Sequence, residues 1–170
     1  MNLNKQFIFI DTNIIIYLIQ DESIQNEDAK KQKKLAKELL EFILTNENKF
    51  QLCISVMVVS EILSFEEEKE IWQEFINSFD IYEYDFKCAE IFADIFKRNI
   101  KTIKSDEELN SKRNKIKMDM LILSTAIRHS GSYFITNNLK DFAKYEIDND
   151  IKIMNTSNFL TNFGNTPDLF

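Results

Sequence analysis

Three carboxylates occupy positions where acidic residues are uncommon. Asp11 directly follows the apolar run at residues 7–10, which predicts a buried strand, while Glu61 and Asp119 lie in segments that are apolar at helical spacing. Ionised carboxylates normally lie on solvated surfaces, because burial disfavours the charged form unless a cation or hydrogen bonds compensate. If the three met at one edge of a sheet they would repel each other, and a divalent cation with oxygen ligands would relieve that repulsion. The pattern therefore predicts a metal site that could activate water.

Each carboxylate also has an ordinary structural explanation. Asp11 could cap the helix that opens after it, and Asp119 could be a first-turn acid stabilised by the helix dipole. Glu61 could lie at the edge of an apolar stripe. A different enzyme class, a phosphatase with Asp11 as nucleophile, would favour a second aspartate at position 13, where this chain has Asn13.

Composition excludes several other kinds of site. The chain has 170 residues, which fits one domain, and a net charge of −7, so any site for a polyanion must be locally basic. Two glycines are too few for a P-loop or a dinucleotide-binding loop, and one histidine leaves no catalytic triad. Cys53 and Cys88 lie in apolar runs and are expected to be reduced core residues rather than zinc ligands.

The N-terminus lacks the apolar stretch of a signal peptide, and the longest apolar run, residues 14–19, is too short to cross a bilayer. We therefore expect a cytoplasmic protein that does not contact a membrane.

Predicted strands and helices alternate along the chain. Alternation of this kind predicts an α/β fold with a parallel sheet covered by helices on both faces. We expect residues 1–163 to form one domain and residues 164–170 to form a tail. The predicted strands are residues 7–10, 50–54, 81–84, 133–135 and 151–154. The predicted helices are residues 12–20, 28–44, 56–65 with Ser55 as cap, 67–79, 86–98 and 118–129, the last closed by Ser130 and Gly131. The polar stretch 99–117 is expected to be partly helical.

A basic segment leads directly into Asp119. Residues 97–117 contain eight basic side chains and only three acidic ones, in a protein of net charge −7. The segment could be a solvated connection, or it could bind the phosphates of a nucleic acid. The candidates closest in sequence to Asp119 are Lys112, Arg113, Lys115 and Lys117.

Four stretches, in this order, resemble the motifs of PIN domains. They are FIDTNIIIYLI, ISVMVVSEIL, MDMLILSTAIRHSGSYFITNNLKDF and IKIMNTSNFL, and the resemblance as a whole covers roughly residues 7–163. The resemblance implies a three-layer α/β/α sandwich with a parallel five-stranded sheet in the order 3-2-1-4-5. It also implies an endoribonuclease that uses Mg²⁺ or Mn²⁺ bound by acidic side chains.

Motif by motif, the resemblance assigns Asp11, Glu61, Asp119 and Asp141 to the metal and to catalysis. It assigns supporting roles to four polar residues, Thr12, Asn13, Ser55 and Thr136. One departure matters: many members have an acid where this chain has Asn138, whose amide oxygen could still face the metal. With one charge fewer, metal affinity would be lower and a second metal is in doubt.

Small single-domain PIN proteins are most often VapC-like toxins of toxin–antitoxin pairs. The resemblance thus implies an RNA substrate, an antitoxin partner and a homodimer. The alternative is a PIN-like module that binds RNA or a protein without cleaving it, and Asn138 is the feature that favours this alternative.

Overall fold

The computed structural model describes residues 5–19, 26–65, 76–147 and 149–164. The helix predicted over residues 67–79 and the predicted tail lie mostly outside these ranges. Within them, five strands form one parallel sheet in the order β3-β2-β1-β4-β5. The predicted fold class and strand order are confirmed. The strands are β1 (Gln6–Ile10), β2 (Phe50–Ser55), β3 (Asp80–Tyr82), β4 (Tyr133–Ile135) and β5 (Lys152–Met154).

Helices cover the sheet on both sides. The described helices are α1 (Thr12–Ile19), α2 (Glu27–Thr45), α3 (Val56–Phe65), α4 (Phe86–Ser105), α5 (Glu107–Ser111), α6 (Arg113–Arg128), α7 (Leu139–Phe142) and α8 (Thr156–Phe163). Helix α2 packs on β2 and against α1 and α8, whereas α6 packs on β2 and against α3, α4 and α5.

The core lies between the sheet and these two helical layers. β1 is the central strand, and Ile8, Phe9 and Ile10 are buried, because both faces of a covered parallel sheet are apolar. Ile10 pairs with Ile135, so the residues that follow β1 and β4 emerge side by side at the carboxyl edge of the sheet. Ligands of open α/β sheets bind at this edge.

Two helices begin or end elsewhere than predicted. α4 continues to Ser105 rather than ending near residue 98, because Asn99 is buried and donates to the carbonyls of Ile95 and Glu146. α6 begins at Arg113 rather than at residue 118. Its first turns are basic, so the apolar periodicity that marks the rest of the helix is absent there.

The end of α6 agrees with its prediction to within one residue, since the Ser130 and Gly131 N–H groups donate to the last carbonyls of the helix. The helix ends at Arg128 with His129 as C-cap, and the left-handed residue that follows is Ser130, with a φ of 58°. Gly131 has no positive φ; instead, a Cβ there would lie 2.9 Å from both the Ala126 carbonyl oxygen and the Phe9 ring. The glycine is therefore needed for close packing rather than for its backbone conformation.

None of the helices in the described parts of the chain is both long enough and apolar enough to span a bilayer.

Candidate active site

Asp11 lies at the carboxyl end of β1, beside the end of β4. Its N–H donates to the Ile135 carbonyl over 2.9 Å, and the residue is only 2% exposed. Oδ1 accepts the Thr12 N–H at 2.8 Å, and Oδ2 accepts the Asn13 amide at 2.5 Å and the Thr136 hydroxyl at 2.7 Å. Two of these donors are side chains that a helix cap does not require, so the carboxylate is held in place by more than helix capping.

A polar network extends from Asp11 along the end of β4. Thr136 is fully buried, and its hydroxyl accepts the Asn13 amide at 3.1 Å and the Asn138 N–H at 3.0 Å. The side-chain oxygen of Asn13 accepts the Asn137 N–H at 3.1 Å, and the Asn137 side chain donates to Gln32 of α2 at 3.0 Å. The supporting residues Asn13 and Thr136 thus contact Asp11 directly, and Asn137, which sequence reasoning missed, connects them to α2.

Glu61 projects from α3 toward the end of β1. The Thr12 hydroxyl donates a hydrogen bond to Glu61 Oε2, while the Thr12 N–H binds Asp11. Thr12 therefore bridges the two carboxylates, one through its backbone and one through its side chain.

Ser55, the fourth predicted supporting residue, bonds elsewhere. Its hydroxyl donates to Thr125 of α6 at 2.9 Å and accepts the Met57 N–H at 3.1 Å. It therefore caps α3 as predicted and ties β2 to α6.

Asp119 is well inside α6. The helix begins at Arg113, so Asp119 lies in its second turn, and the first-turn dipole explanation does not apply. The residue is 7% exposed. Burial, followed by the negative charge of Asp11, raises the pKa of Asp119 to about 7, and the positive charge of Lys115 partly opposes this.

Burial also raises the pKa of Asp11, to about 6, although the Thr136 and Thr12 hydrogen bonds pull it down. The charge of Glu61 contributes to the rise of the pKa at both Asp11 and Asp119. Strand β1 and helices α3 and α6 thus bring three carboxylates within electrostatic reach of one another.

Asp141 and Asn138 belong to the short helix α7, which follows β4. The charge of Asp141 adds to the rise of the Asp119 pKa, so Asp141 lies on the same side of the molecule as the other acids. Asn138 occupies the N-cap position, but its side chain forms no capping hydrogen bond. That amide therefore has no role in starting α7.

The side chains of the four acids and Asn138 are chemically suited to bind a hard divalent cation. The four acids and Asn138 offer only oxygen ligands, which Mg²⁺ and Mn²⁺ prefer. The raised pKa values of Asp11 and Asp119 indicate negative charge that the fold itself does not compensate. Across the described ranges, no three Asp, Glu, His or Cys side chains already stand in ligand geometry. The acids would have to draw closer together to share a cation.

The predicted basic residues divide between two faces of α6. Lys115 lies one turn before Asp119, on the side of the acids. Arg113 and Lys117 instead lie over the Phe96 ring of α4, with their charged ends 5.9 and 5.7 Å from its centre. Lys112 forms an ion pair with Glu108 at 2.6 Å. Of the four, Lys115 lies within electrostatic reach of Asp11 and Asp119, whereas Lys112 lies within reach of Asp141.

Two further buried polar residues were not predicted. Thr125 receives the Ser55 hydrogen bond, and Tyr145 buries its hydroxyl in a region influenced by the charges of Asp141 and Asp119. The sequence signal for Tyr145 was weak: it follows Asp141 by four residues, the spacing of one helical turn.

Solved structures of this fold include several two-component complexes. The chain is similar to VapBC2 from Rickettsia felis bound to a promoter DNA fragment, with 21% identity, 88% of this chain and 98% of that chain covered, and a TM-score of 0.57. It is also similar to DNA-bound VapBC from Salmonella typhimurium (19% identity, 89% and 98% covered, TM-score 0.56). FitAcB from Neisseria gonorrhoeae gives 21% identity, 88% and 98% covered, and a TM-score of 0.54. At these identities the likeness is one of fold.

The family model described as PIN domain matches residues 8–147, which include every predicted site residue. No curated protein matches the chain.

Proposed function

The chain belongs to the PIN-domain family, and we propose that it is an endoribonuclease that uses Mg²⁺ or Mn²⁺ to hydrolyse RNA phosphodiester bonds. The observation that carries the proposal is the pair of buried carboxylates, Asp11 and Asp119, which β1 and α6 bring to one edge of the sheet. Burial of two such groups destabilises a fold unless a cation compensates their charge. Their presence is therefore better explained by a ligand than by stability.

In this proposal, Asp11 and Asp119 hold the cation, with Glu61 and Asp141 completing the oxygen set from α3 and α7. When bound, the cation would supply a water of lowered pKa and positive charge beside the phosphate. The hydrogen bonds from Thr136 and Asn13 fix the Asp11 carboxylate before any ligand arrives, which reduces the entropic cost of assembling the site. Attack by water leaves a 5′-phosphate and a 3′-hydroxyl, and no side-chain nucleophile is required.

Lys115 would bind the phosphate that approaches the acids. It lies one turn before Asp119, and its charge lowers the pKa of both Asp11 and Asp119. Lys112, Arg113 and Lys117 would contribute a wider basic surface to RNA binding, to a smaller degree because other side chains already contact them.

We further propose that the protein is a VapC-like toxin restrained by an antitoxin. The similar structures are VapBC and FitAB assemblies, which supports a protein partner for this chain.

The same proposal includes a homodimer. Phe86 at the start of α4 is 80% exposed, and Val56 at the start of α3 is also exposed. The two residues follow neighbouring strands, since Ser55 pairs with Tyr82. Exposed apolar side chains at the starts of helices that follow neighbouring strands support an interface on this side of the sheet.

A binding module without cleavage is the second candidate. Two observations favour it: Asn138 replaces a charge, and no complete ligand cluster stands within the described residues.

Metal-dependent turnover distinguishes the two candidates. Purified protein should cleave a labelled RNA with Mg²⁺ or Mn²⁺, should stop on addition of chelator, and should leave 5′-phosphate ends. Asp119→Asn is the matched control, because it preserves shape and removes the charge. Cleavage that persists equally in chelator and in Asp119→Asn protein would come from a contaminating nuclease and would count against the proposal.

A further inference from the structure

Tyr145 buries its hydroxyl beside the acids, and no hydrogen-bond partner for it exists among the described residues. The side chain is 8% exposed, its oxygen is out of reach of solvent, and no atom of the described residues bonds to it. The ring packs edge-on against Phe142, with centroids 6.2 Å apart, and Phe142 in turn packs against Phe134 of β4 at 5.4 Å. A phenylalanine would make the same ring contacts. An unpaired buried hydroxyl destabilises the fold, so its presence points to a partner acquired in another state of the site.

The groups around this hydroxyl are acidic. Burial raises the pKa of Tyr145 to about 12, and the negative charges of Asp141, Asp119 and Asp106 add to the effect. The phenol therefore keeps its proton at neutral pH and can donate a hydrogen bond to a carboxylate.

Asp141 is the best placed of these acceptors. It precedes Tyr145 by four residues, with the chain between them turning through the Lys144 N–H to Asp141 carbonyl bond of 3.2 Å. It is half-buried rather than enclosed. Asp106 is already engaged, since it accepts the Leu109 N–H at 3.1 Å as the cap of α5.

We propose that Tyr145 is a positioning residue for Asp141. Its hydroxyl donates a hydrogen bond to the Asp141 carboxylate when a divalent cation draws that carboxylate into the site, and this bond sets which oxygen faces the cation. The inference rests on the proposed metal-dependent function. Residues that hydrogen-bond to a metal ligand fix its orientation, and their loss typically weakens metal binding by about 10–100-fold.

Tyr145→Phe tests the proposal, because it removes one oxygen and keeps the ring. Mn²⁺ affinity is measured by calorimetry and metal-free stability by thermal melting in chelator. Tyr145→Phe should weaken Mn²⁺ binding about tenfold while leaving the metal-free melting temperature unchanged or raised, since a hydroxyl without a partner is lost. Tyr133→Phe, at a buried tyrosine on β4 whose ring lies under Lys152, should change neither quantity.

A double-mutant cycle identifies the partner. In an Asp141→Asn background, Tyr145→Phe should weaken Mn²⁺ binding further by less than about twofold. In an Asp106→Asn background, it should still weaken Mn²⁺ binding about tenfold. The proposal is overturned if Tyr145→Phe binds Mn²⁺ like the wild type. It is equally overturned if the full loss persists in the Asp141→Asn background, or if the metal-free protein melts lower.

These outcomes separate the positioning role from the proposed function. If the wild type binds Mn²⁺ in this pattern but does not cut RNA, the proposed nuclease activity is wrong and the role of Tyr145 stands. If the wild type cuts RNA while Tyr145→Phe keeps full Mn²⁺ affinity, the nuclease activity stands and the role of Tyr145 is wrong. If the wild type does not bind Mn²⁺, both proposals are wrong.

Discussion

Thr136 donates its hydroxyl hydrogen to Asp11 Oδ2 over 2.7 Å, joining the ends of the neighbouring strands β4 and β1. The bond favours the ionised form of Asp11 and so opposes the rise in pKa that burial imposes on that carboxylate. Because Thr136 also accepts the Asn13 amide and the Asn138 N–H, one buried hydroxyl organises the predicted acid, its neighbour and the start of α7.

Thr136→Val should raise the pKa of Asp11 further, because the valine keeps the shape but cannot donate. Mn²⁺ binding, which competes with protons for Asp11, should then weaken more at pH 6 than at pH 8. Calorimetric titrations at the two values of pH measure the difference. Thr125→Val is the matched control, since Thr125 is also fully buried and hydrogen-bonded, but to Ser55 rather than to an acid. Both variants should lose about 1–3 kcal/mol of stability, and an equal pH dependence in both would contradict the role of Thr136.

The core acids should be individually indispensable for cleavage. Asp11→Asn, Glu61→Gln and Asp119→Asn should each slow RNA hydrolysis at least about a hundredfold at saturating Mn²⁺, because each removes a charge that the cation requires. Asp85→Asn is the control: Asp85 pairs with Arg128 on the surface and caps α4, a role that asparagine also fills. Wild-type rates in any one of the three core variants would remove that residue from the site.

Removal of the Asp119 charge should stabilise the metal-free protein, and increasingly so at higher pH. The folded-state pKa of about 7 lies above the ordinary aspartate value of 3.8, so the native state binds the proton more tightly than the unfolded chain does. That contribution to stability is fully present below pH 4 and is lost as the pH rises through 7. Asparagine does not titrate. The melting temperature of Asp119→Asn minus that of the wild type, in chelator, should therefore increase from pH 5 to pH 8.

Excess Mn²⁺ should reverse this order at pH 8, because only the wild type gains strong metal binding. A difference in melting temperature that stays constant with pH would mean that Asp119 is ionised throughout and better solvated than its burial indicates.

The sheet and its acids were predictable because local signals agreed with the fold. The β-branched and aromatic run before Asp11 is typical of a buried strand, and a residue after such a strand emerges at the carboxyl edge, where the structure has it. Glu61 and Asp119 were recognisable because acids conflict with the apolar faces of their helices.

Three other polar residues were not predictable in the same way. Asn137, Thr125 and Tyr145 are neutral residues of kinds that occur anywhere in a chain, and the hydrogen-bond partners Asn13 and Gln32 of Asn137, and Ser55 of Thr125, are distant in sequence. Partial helix was expected over residues 99–117, but the starting residue of α6 was not predictable. Its first turns present Lys115 to the acids and Lys117 to Phe96, so basic residues occupy two faces and no apolar stripe exists there.

Lys115 and Lys117 lie on different faces of α6, so their alanine variants form a matched pair for testing RNA binding. Lys115→Ala should weaken RNA binding and reduce its salt dependence by about one counterion, since a phosphate contact is lost. Lys117→Ala should have the smaller effect on RNA, because the Lys117 amine lies 5.7 Å from the Phe96 ring centre rather than beside the acids. Fluorescence anisotropy with a short RNA at several salt concentrations measures both slopes. Equal slopes for the two variants would show that the acids do not define where the phosphate lies.

Asn138→Asp and Asp141→Asn should move the site in opposite directions. An aspartate at position 138 adds a charge beside the bound cation, and greater ligand charge tightens metal binding. Without metal, the same charge adds repulsion to a region where Asp141 already raises the pKa of Asp119, so the metal-free protein should melt at a lower temperature. Asp141→Asn should bind Mn²⁺ more weakly, melt higher in chelator and cleave RNA more slowly. Calorimetry and thermal melts measure both quantities on the same samples. If neither variant shifts Mn²⁺ affinity, α7 supplies no ligand, and the cation must be held by Asp11, Glu61 and Asp119 alone.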